Sequence, residues 1–199
     1  MGSKSFILFL LLAIFSIFSC SNTEPGILGV YPQFIYDSES QEMFLSVFAS
    51  FTSDISRIEK MELLHEDSKL LWKCNNLEQV HSQDNKYQYV GCSSFAPVDK
   101  IFPSGFYQVV FWDSVGKKIS YNFTLKKITL PENAEKVPRK ERYVAVYDVN
   151  DEMIFLGREN TAIDQINELK NKYPDGVYRR RIIKSKESNV MYFMTKESL

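Results

Sequence analysis

The sequence predicts a mainly β protein: an antiparallel β-sandwich over residues 30–129, then a small α+β module ordered ββαββ over 143–199. Three observations carry that expectation. From Val30 onward apolar residues recur mostly at every second position, the period of a half-buried strand. Turn-forming clusters break that period repeatedly within about a hundred residues, as sandwiches require. Only one stretch, near the C-terminus, switches to helical spacing.

Taken in order, residues 20–29 read as a short tether. "MFLSVFASF" places Met43, Leu45, Val47, Ala49 and Phe51 on one face of a strand. "LLHEDSKLLWKC" reads as a hairpin turning on Glu66, Asp67 and Ser68. "KISYNFTL" alternates cleanly, with Ile119, Tyr121, Phe123 and Leu125 inward and Ser120, Asn122 and Thr124 outward. Between the last two lies "FPSGFYQVVFWDSVGKK", with a turn expected from Asp113 to Gly116.

That segment resembles the last hairpin of immunoglobulin-like and fibronectin-type-III-like domains. Phe102, Pro103, Gly105 and Tyr107 match the turn that feeds their penultimate strand. The resemblance implies an immunoglobulin-like antiparallel sandwich in which Tyr107 is a tyrosine corner, its hydroxyl bonded back to nearby main chain. It departs from the antibody pattern in cysteine spacing and in the position of Trp72. It therefore implies nothing about antigen or receptor binding.

"LPENAEKVPRKER", residues 130–142, is polar, holds two prolines and has no apolar period, so a linker is expected there. "YVAVYDV" and "MIFLG" read as paired strands around a turn. "NTAIDQINELKNKYPDG" reads as a helix capped at Asn160 or Thr161, striped by Ile163, Ile166, Leu169 and Tyr173, and ended by Pro174 and Gly176. "VYRRRIIK" and "VMYFMT" complete the module as a second hairpin.

At the N-terminus Lys4 precedes Phe6–Phe18, an apolar run broken only by Ser16. As helix the run would rise roughly 20 Å, short of a hydrocarbon core of about 30 Å. A signal peptide over residues 1–19 accounts for charge, short apolar core and small polar residues in that order. Ile17, Phe18, Ser19 and Cys20 resemble the lipid-attachment site of bacterial lipoproteins, in the looser form of spirochaetal ones. That resemblance implies that Cys20 becomes a lipidated mature N-terminus, acylated with palmitate-like chains, in the cell envelope on an undetermined side of a membrane. Acyl chains at about 0.8 kcal/mol per buried CH₂ would hold it there. The alternative is cleavage after Ser21, which discards Cys20 and leaves a soluble secreted protein.

The remaining cysteines, Cys74 and Cys92, are expected to pair in an oxidising compartment, worth on the order of 3 kcal/mol. Spacing alone also admits two buried free thiols.

Composition excludes several functions. The 24 basic and 25 acidic residues nearly cancel, so no global field recruits nucleic acid. His65 and His81, the only histidines, lack zinc-site spacing and read as turn-proximal surface residues. Phosphate-binding glycine loops and nucleophile elbows are absent from the sequence. Asp148, Asn150, Glu152 and Glu159 have calcium-loop spacing, but Met153 stands where glycine is needed and the flanks are strands. Neither a metal nor another cofactor is expected, and neither is catalysis. Arg179, Arg180 and Arg181 could bind anions, but Glu168, Asp175 and Glu187 in the same module point to self-neutralisation.

The most suggestive surface is aromatic. Phe106 and Trp112 lie opposite the core face of one strand, Phe44 and Phe48 opposite that of another. A strand apolar on both faces needs a second cover: the C-terminal module, or a partner protein. The expected function is thus a membrane-anchored, non-catalytic binding or scaffolding module with an unidentified protein partner. The alternative is a peptidoglycan-associated role, since the C-terminal strand–helix–strand order and arginines loosely resemble half of a SPOR-type domain.

Overall fold

The computed structural model describes residues 26–52, 55–81, 88–128, 130, 134–159 and 166–199. The signal segment, Cys20 and the N-terminal part of the expected helix, with Ile163, lie outside the described residues. Thirteen strands and one helix are described: β1 (Ile27–Asp37), β2 (Glu42–Phe51), β3 (Ile58–His65), β4 (Leu71–Cys74), β5 (Glu78–His81), β6 (Gln88–Phe95), β7 (Gly105–Asp113), β8 (Lys118–Leu125), β9 (Lys140–Tyr147), β10 (Met153–Arg158), α1 (Ile166–Lys172), β11 (Tyr178–Ser185), β12 (Val190–Phe193) and β13 (Glu197–Ser198). No described helix is long and apolar enough to cross a membrane.

The strands form two sheets. The long one runs β10-β9-β11-β12-β1-β2-β6-β5, with β13 on β11; the short one runs β4-β3-β7-β8. Alternation decides how they meet. Met43, Leu45, Val47, Ala49 and Phe51 of β2 are all buried, with Val90 of β6 beside them. They face Met61 and Leu63 of β3 and Tyr107, Val109 and Phe111 of β7. Phe51 meets Phe111 edge-on across the gap, with ring centroids 5.1 Å apart. The mainly β, two-layer architecture agrees with the sequence.

The turns follow from local chemistry. Asp113 is buried, and its Oδ1 accepts from the N–H of Val115 (3.0 Å) and of Lys117 (2.8 Å), closing the β7–β8 hairpin. The Tyr107 hydroxyl donates to the Pro103 carbonyl at 2.7 Å, so the tyrosine corner is formed as the resemblance implies. Gly105 enters β7 at φ +143°, and a Cβ there would lie 2.7 Å from His65 Nε2, so only glycine fits.

Three boundaries differ from expectation. Strand β1 begins at Ile27, inside the expected tether, because Ile27 and Gly29 find partners in Phe51 and Ser50. The stretch expected as a linker holds a 3₁₀ turn at Ala134–Lys136, and Val137 is buried in the sandwich core, with Leu130 and Ala134 packed against it. Strand β9 starts at Lys140.

The larger difference is how the C-terminal strands attach. They do not lie over the sandwich as a cover. Strand β12 pairs in parallel with β1, from Phe34↔Val190 to Asp37↔Phe193, so the long sheet continues edge to edge through both regions. Pro32 falls just before that ladder begins, where its missing N–H removes no bond to β12. Helix α1 covers one face of this extension through Leu169, which packs with Val144 and Val146.

Candidate functional site

The residues expected to form one partner surface fall on opposite sides of the molecule. Phe106 and Trp112 alternate with the buried Tyr107 and Phe111 and so face outward from the short sheet. Phe44 and Phe48 alternate with Leu45 and Val47 and face outward from the long one. Because the inner faces of β2 and β7 meet in the core, the two pairs cannot make a single patch.

The outer face of the short sheet is the more open of the two. Phe106 is 60% exposed. Along β7 it is followed on the same face by Gln108, Val110 and Trp112, each half-buried. Gln108 donates to Asn122 Oδ1 at 3.2 Å, which ties β7 to β8 on this side. Two ammonium groups lie over the Trp112 ring, Lys60 at 4.0 Å and Lys118 at 4.3 Å from its centroid. The Trp112 Nε1 is buried and finds no hydrogen-bond partner among the described residues. A shallow depression opens between Glu62, Leu64, Leu71, Val110 and Trp112.

On the long sheet, Phe48 and Phe44 are half-buried. A Cβ at Gly91 would come 2.1 Å from the Val47 carbonyl oxygen and 2.9 Å from Phe48 Cγ, so the bare glycine lets the β2 main chain and the phenyl ring approach β6. Tyr31, 52% exposed, meets Tyr89 edge-on at 5.5 Å on this face.

The expected Cys74–Cys92 disulfide is replaced in the structure by two free, buried thiols. Alternation explains the burial: Cys74 ends β4 and Cys92 sits in β6, each facing the core. The pair therefore joins the edge strand of one sheet to a strand of the other. Cys74 hydrogen-bonds the Asn76 carbonyl at 3.3 Å. Burial, reinforced by the adjacent Cys92 sulfur, pushes its thiol up to about 12, so it is a protonated, poorly nucleophilic group at neutral pH.

His65 also departs from expectation: it is 3% exposed, not a surface residue. It shares the inward face of β3 with Met61 and Leu63. Its Nε2 lies 3.3 Å from the Ser104 carbonyl oxygen, an acceptor only, which assigns the proton to Nε2. Nδ1 then accepts from the Ser68 N–H at 3.2 Å and faces its hydroxyl at 2.7 Å. His65 thus pins the β3–β4 turn. Strand β5 carries His81.

The arginine run is neutralised, but by other partners than Glu168, Asp175 and Glu187. Arg179 pairs with Glu197 (2.7 Å), and Arg181 with Glu197 (3.3 Å) and Glu135 (3.6 Å). Arg180, 8% exposed, grips Asp37 with two bonds of 2.8 and 2.9 Å and donates to the Met194 carbonyl. Its hydrogen bonds hold the Asp37 carboxyl below the usual carboxylate range. Asp148 Oδ1 accepts from the N–H groups of Asn150 and Glu152, so that carboxylate closes the β9–β10 turn. Among the described residues no group of three or more His, Cys, Asp or Glu side chains is placed to hold a metal ion.

No protein-family model matches the chain, and no curated protein matches it. Among solved structures the chain is similar to dimeric latent PorU from Porphyromonas gingivalis, at 10% identity and a TM-score of 0.34 over 89% of this chain. The chain spans 20% of the length of that protein. A likeness this weak carries no functional argument.

Proposed function

We propose that the protein is a membrane-anchored envelope lipoprotein whose folded body is a non-catalytic binding or scaffolding module for another protein. The observation that carries this reading is the stripe Phe106–Val110–Trp112 on the outer face of the short sheet, which the C-terminal strands leave open. Exposed aromatic side chains beside aliphatic ones supply the buried area that protein partners use. In this reading residues 30–129 are an immunoglobulin-like sandwich, and 143–199 are a ββαββ addition to its edge.

The anchor is Cys20. Residues 21–26 separate it from β1 and reach at most about 20 Å when extended, so the sandwich is held close to the bilayer. Cys20→Ala should move the protein from the membrane to the soluble fraction and remove acyl mass from the mature N-terminus. Capture from detergent-solubilised envelope should recover a partner with the native protein and lose it with Phe106→Ser. Failure to recover any protein reproducibly, alongside turnover of a small substrate, would sink the proposal.

A further inference from the structure

Four strands end the two sheets, and they differ in how well their outer edges are blunted. Strands β4 and β5 have four residues each. Strand β10 carries a bulge between Met153 and Phe155. Shortness and bulges are devices that stop an edge from accepting a further strand. Strand β8 has neither. It has eight residues, no proline, and unbroken register with β7 from Trp112↔Lys118 to Gly105↔Leu125.

One hydrogen bond sets the phase of this edge. The Asp113 N–H donates to the Lys117 carbonyl at 3.0 Å, so Lys117 turns its main chain toward β7. In an antiparallel ladder the direction alternates. Ile119, Tyr121, Phe123 and Leu125 therefore bond to β7, while Lys118, Ser120, Asn122 and Thr124 point their N–H and C=O groups away from it. Among the described residues no strand takes up those groups. The side chains are unfinished in the same place: Tyr121 is 39% exposed, and Ile119 and Phe123 are half-buried although they face the core. Charge brackets the strand. Lys117 and Lys118 stand at one end and Lys126 and Lys127 at the other, all exposed, with no charged residue from Ile119 to Leu125.

We infer that the β8 edge is a strand-addition site for an extended segment of a partner protein, with alternating apolar and polar residues between acidic ends. The inference deepens the binding-module reading and rests on it. The added strand would continue the short sheet beside the Phe106 stripe. Its apolar residues would cover Ile119, Tyr121 and Phe123, and its carboxylates would meet the lysine pairs. A second copy of β8 fits less well, because it would bring lysines against lysines.

The test uses the folded protein and two labelled synthetic peptides: one alternating Val and Thr between paired Glu residues, the other with Lys in place of Glu. Fluorescence anisotropy should show the Glu-flanked peptide binding at least about tenfold more tightly, a preference that fades with salt. Asn122→Pro removes an outward N–H that makes no ladder bond to β7, together with the exposed acceptor of the Gln108 amide, so the thermal midpoint should fall by no more than a few degrees while peptide binding is lost. The charge-reversed variant Lys126→Glu with Lys127→Glu keeps the test decisive if the proline variant fails to fold, and it should erase the peptide preference, since each peptide then meets one attractive and one repulsive end. Equal binding of both peptides by the native protein, binding to neither, a preference undiminished by the charge reversal, or binding that survives Asn122→Pro overturns the inference. Concentration-dependent self-association abolished by Asn122→Pro also overturns it, by making a second copy the occupant. If Phe106→Ser still abolishes capture of the envelope partner while Asn122→Pro does nothing, only the edge is wrong; if neither affects capture, the binding-module reading falls too.

Discussion

The sandwich strands and the C-terminal strands share one sheet, yet different forces hold them. In the sandwich two layers exclude water from both sides of a continuous core that includes Leu45, Val47, Met61, Leu63, Tyr107 and Phe111. In the extension each face has its own small cluster, one under helix α1 around Leu169, the other around Ala145, Tyr147 and Ile182. The seam between the two regions is mixed: Ile183, Val190 and Tyr192 of the C-terminal strands join the sandwich core together with Phe34, while a parallel ladder of main-chain bonds and the Arg180–Asp37 pair add polar ties. The sandwich should therefore answer to changes in packing, and the seam to changes in charge as well.

The strongest way to break the first half of that contrast is to hollow the core. Phe111→Ala removes a fully buried ring that touches Phe51, and should cost about 4 kcal/mol in urea denaturation. A change below about 1 kcal/mol would mean that the layers are not packed as described. Next in size is a gain. Cys74 and Cys92 are neighbours on opposite sheets, so oxidation during refolding, while both thiols are still open to solvent, should couple them within one chain, with loss of two hydrogens by mass. The bond should stabilise the sandwich by on the order of 3 kcal/mol. Amide exchange in β9 and β11 should stay unchanged. Intermolecular dimers instead would show that the two sulfurs cannot meet.

The seam should respond to acid. The pKa of Asp37 is lowered from its ordinary value of 3.8, chiefly by the Arg180 hydrogen bonds. The folded state thus binds the proton less well than the unfolded one. The contribution is complete above the unfolded value and is lost as pH falls through the lower folded value. Glu135, lowered by Lys140 and then Arg142, adds in the same direction. Hydrogen exchange in β11 and β12 should accelerate below about pH 4 before that in β2 and β7 does. Asp37→Asn should cost about 2 kcal/mol at neutral pH, by leaving the Arg180 charge buried without its partner, and should reduce that acid step to the share Glu135 contributes. Equal acceleration in all four strands would erase the distinction between the regions.

The contrast also explains what the sequence could tell. Period-two alternation reports which way side chains point, so the buried face of β2 and the hairpin at Asp113–Gly116 were legible residue by residue. Alternation says nothing about which strand lies alongside. The parallel pairing of β1 with β12 joins segments more than 150 residues apart, and Asp37 meets Arg180 across 143 positions. The charge partners of the arginine run were invisible for the same reason. His65 misled through its type, since a histidine beside a polar turn reads as exposed, although parity with Met61 and Leu63 already placed it inward. Alternation alone marks Phe106 and Phe44 as facing away from a core. That they face away in opposite directions depends on how the sheets stack.

The smallest effect tests whether the tyrosine corner belongs to the sandwich's stability or only to its local geometry. Tyr107 is fully buried, stacks on Phe123 at 5.7 Å, and has burial pushing its hydroxyl pKa upward, so the hydroxyl stays protonated and donates at any accessible pH. Tyr107→Phe keeps the ring and leaves the Pro103 carbonyl without that donor. A single neutral hydrogen bond is worth about 1 kcal/mol, and that loss should appear as a lowered urea midpoint with unchanged slope. Because the bond ties the segment before Gly105 to β7, exchange should also rise at residues 102–105 and nowhere in β9–β12. A loss nearer 4 kcal/mol would instead assign the corner to the core itself, with the ring unable to keep its place against Phe123 once the hydroxyl is gone.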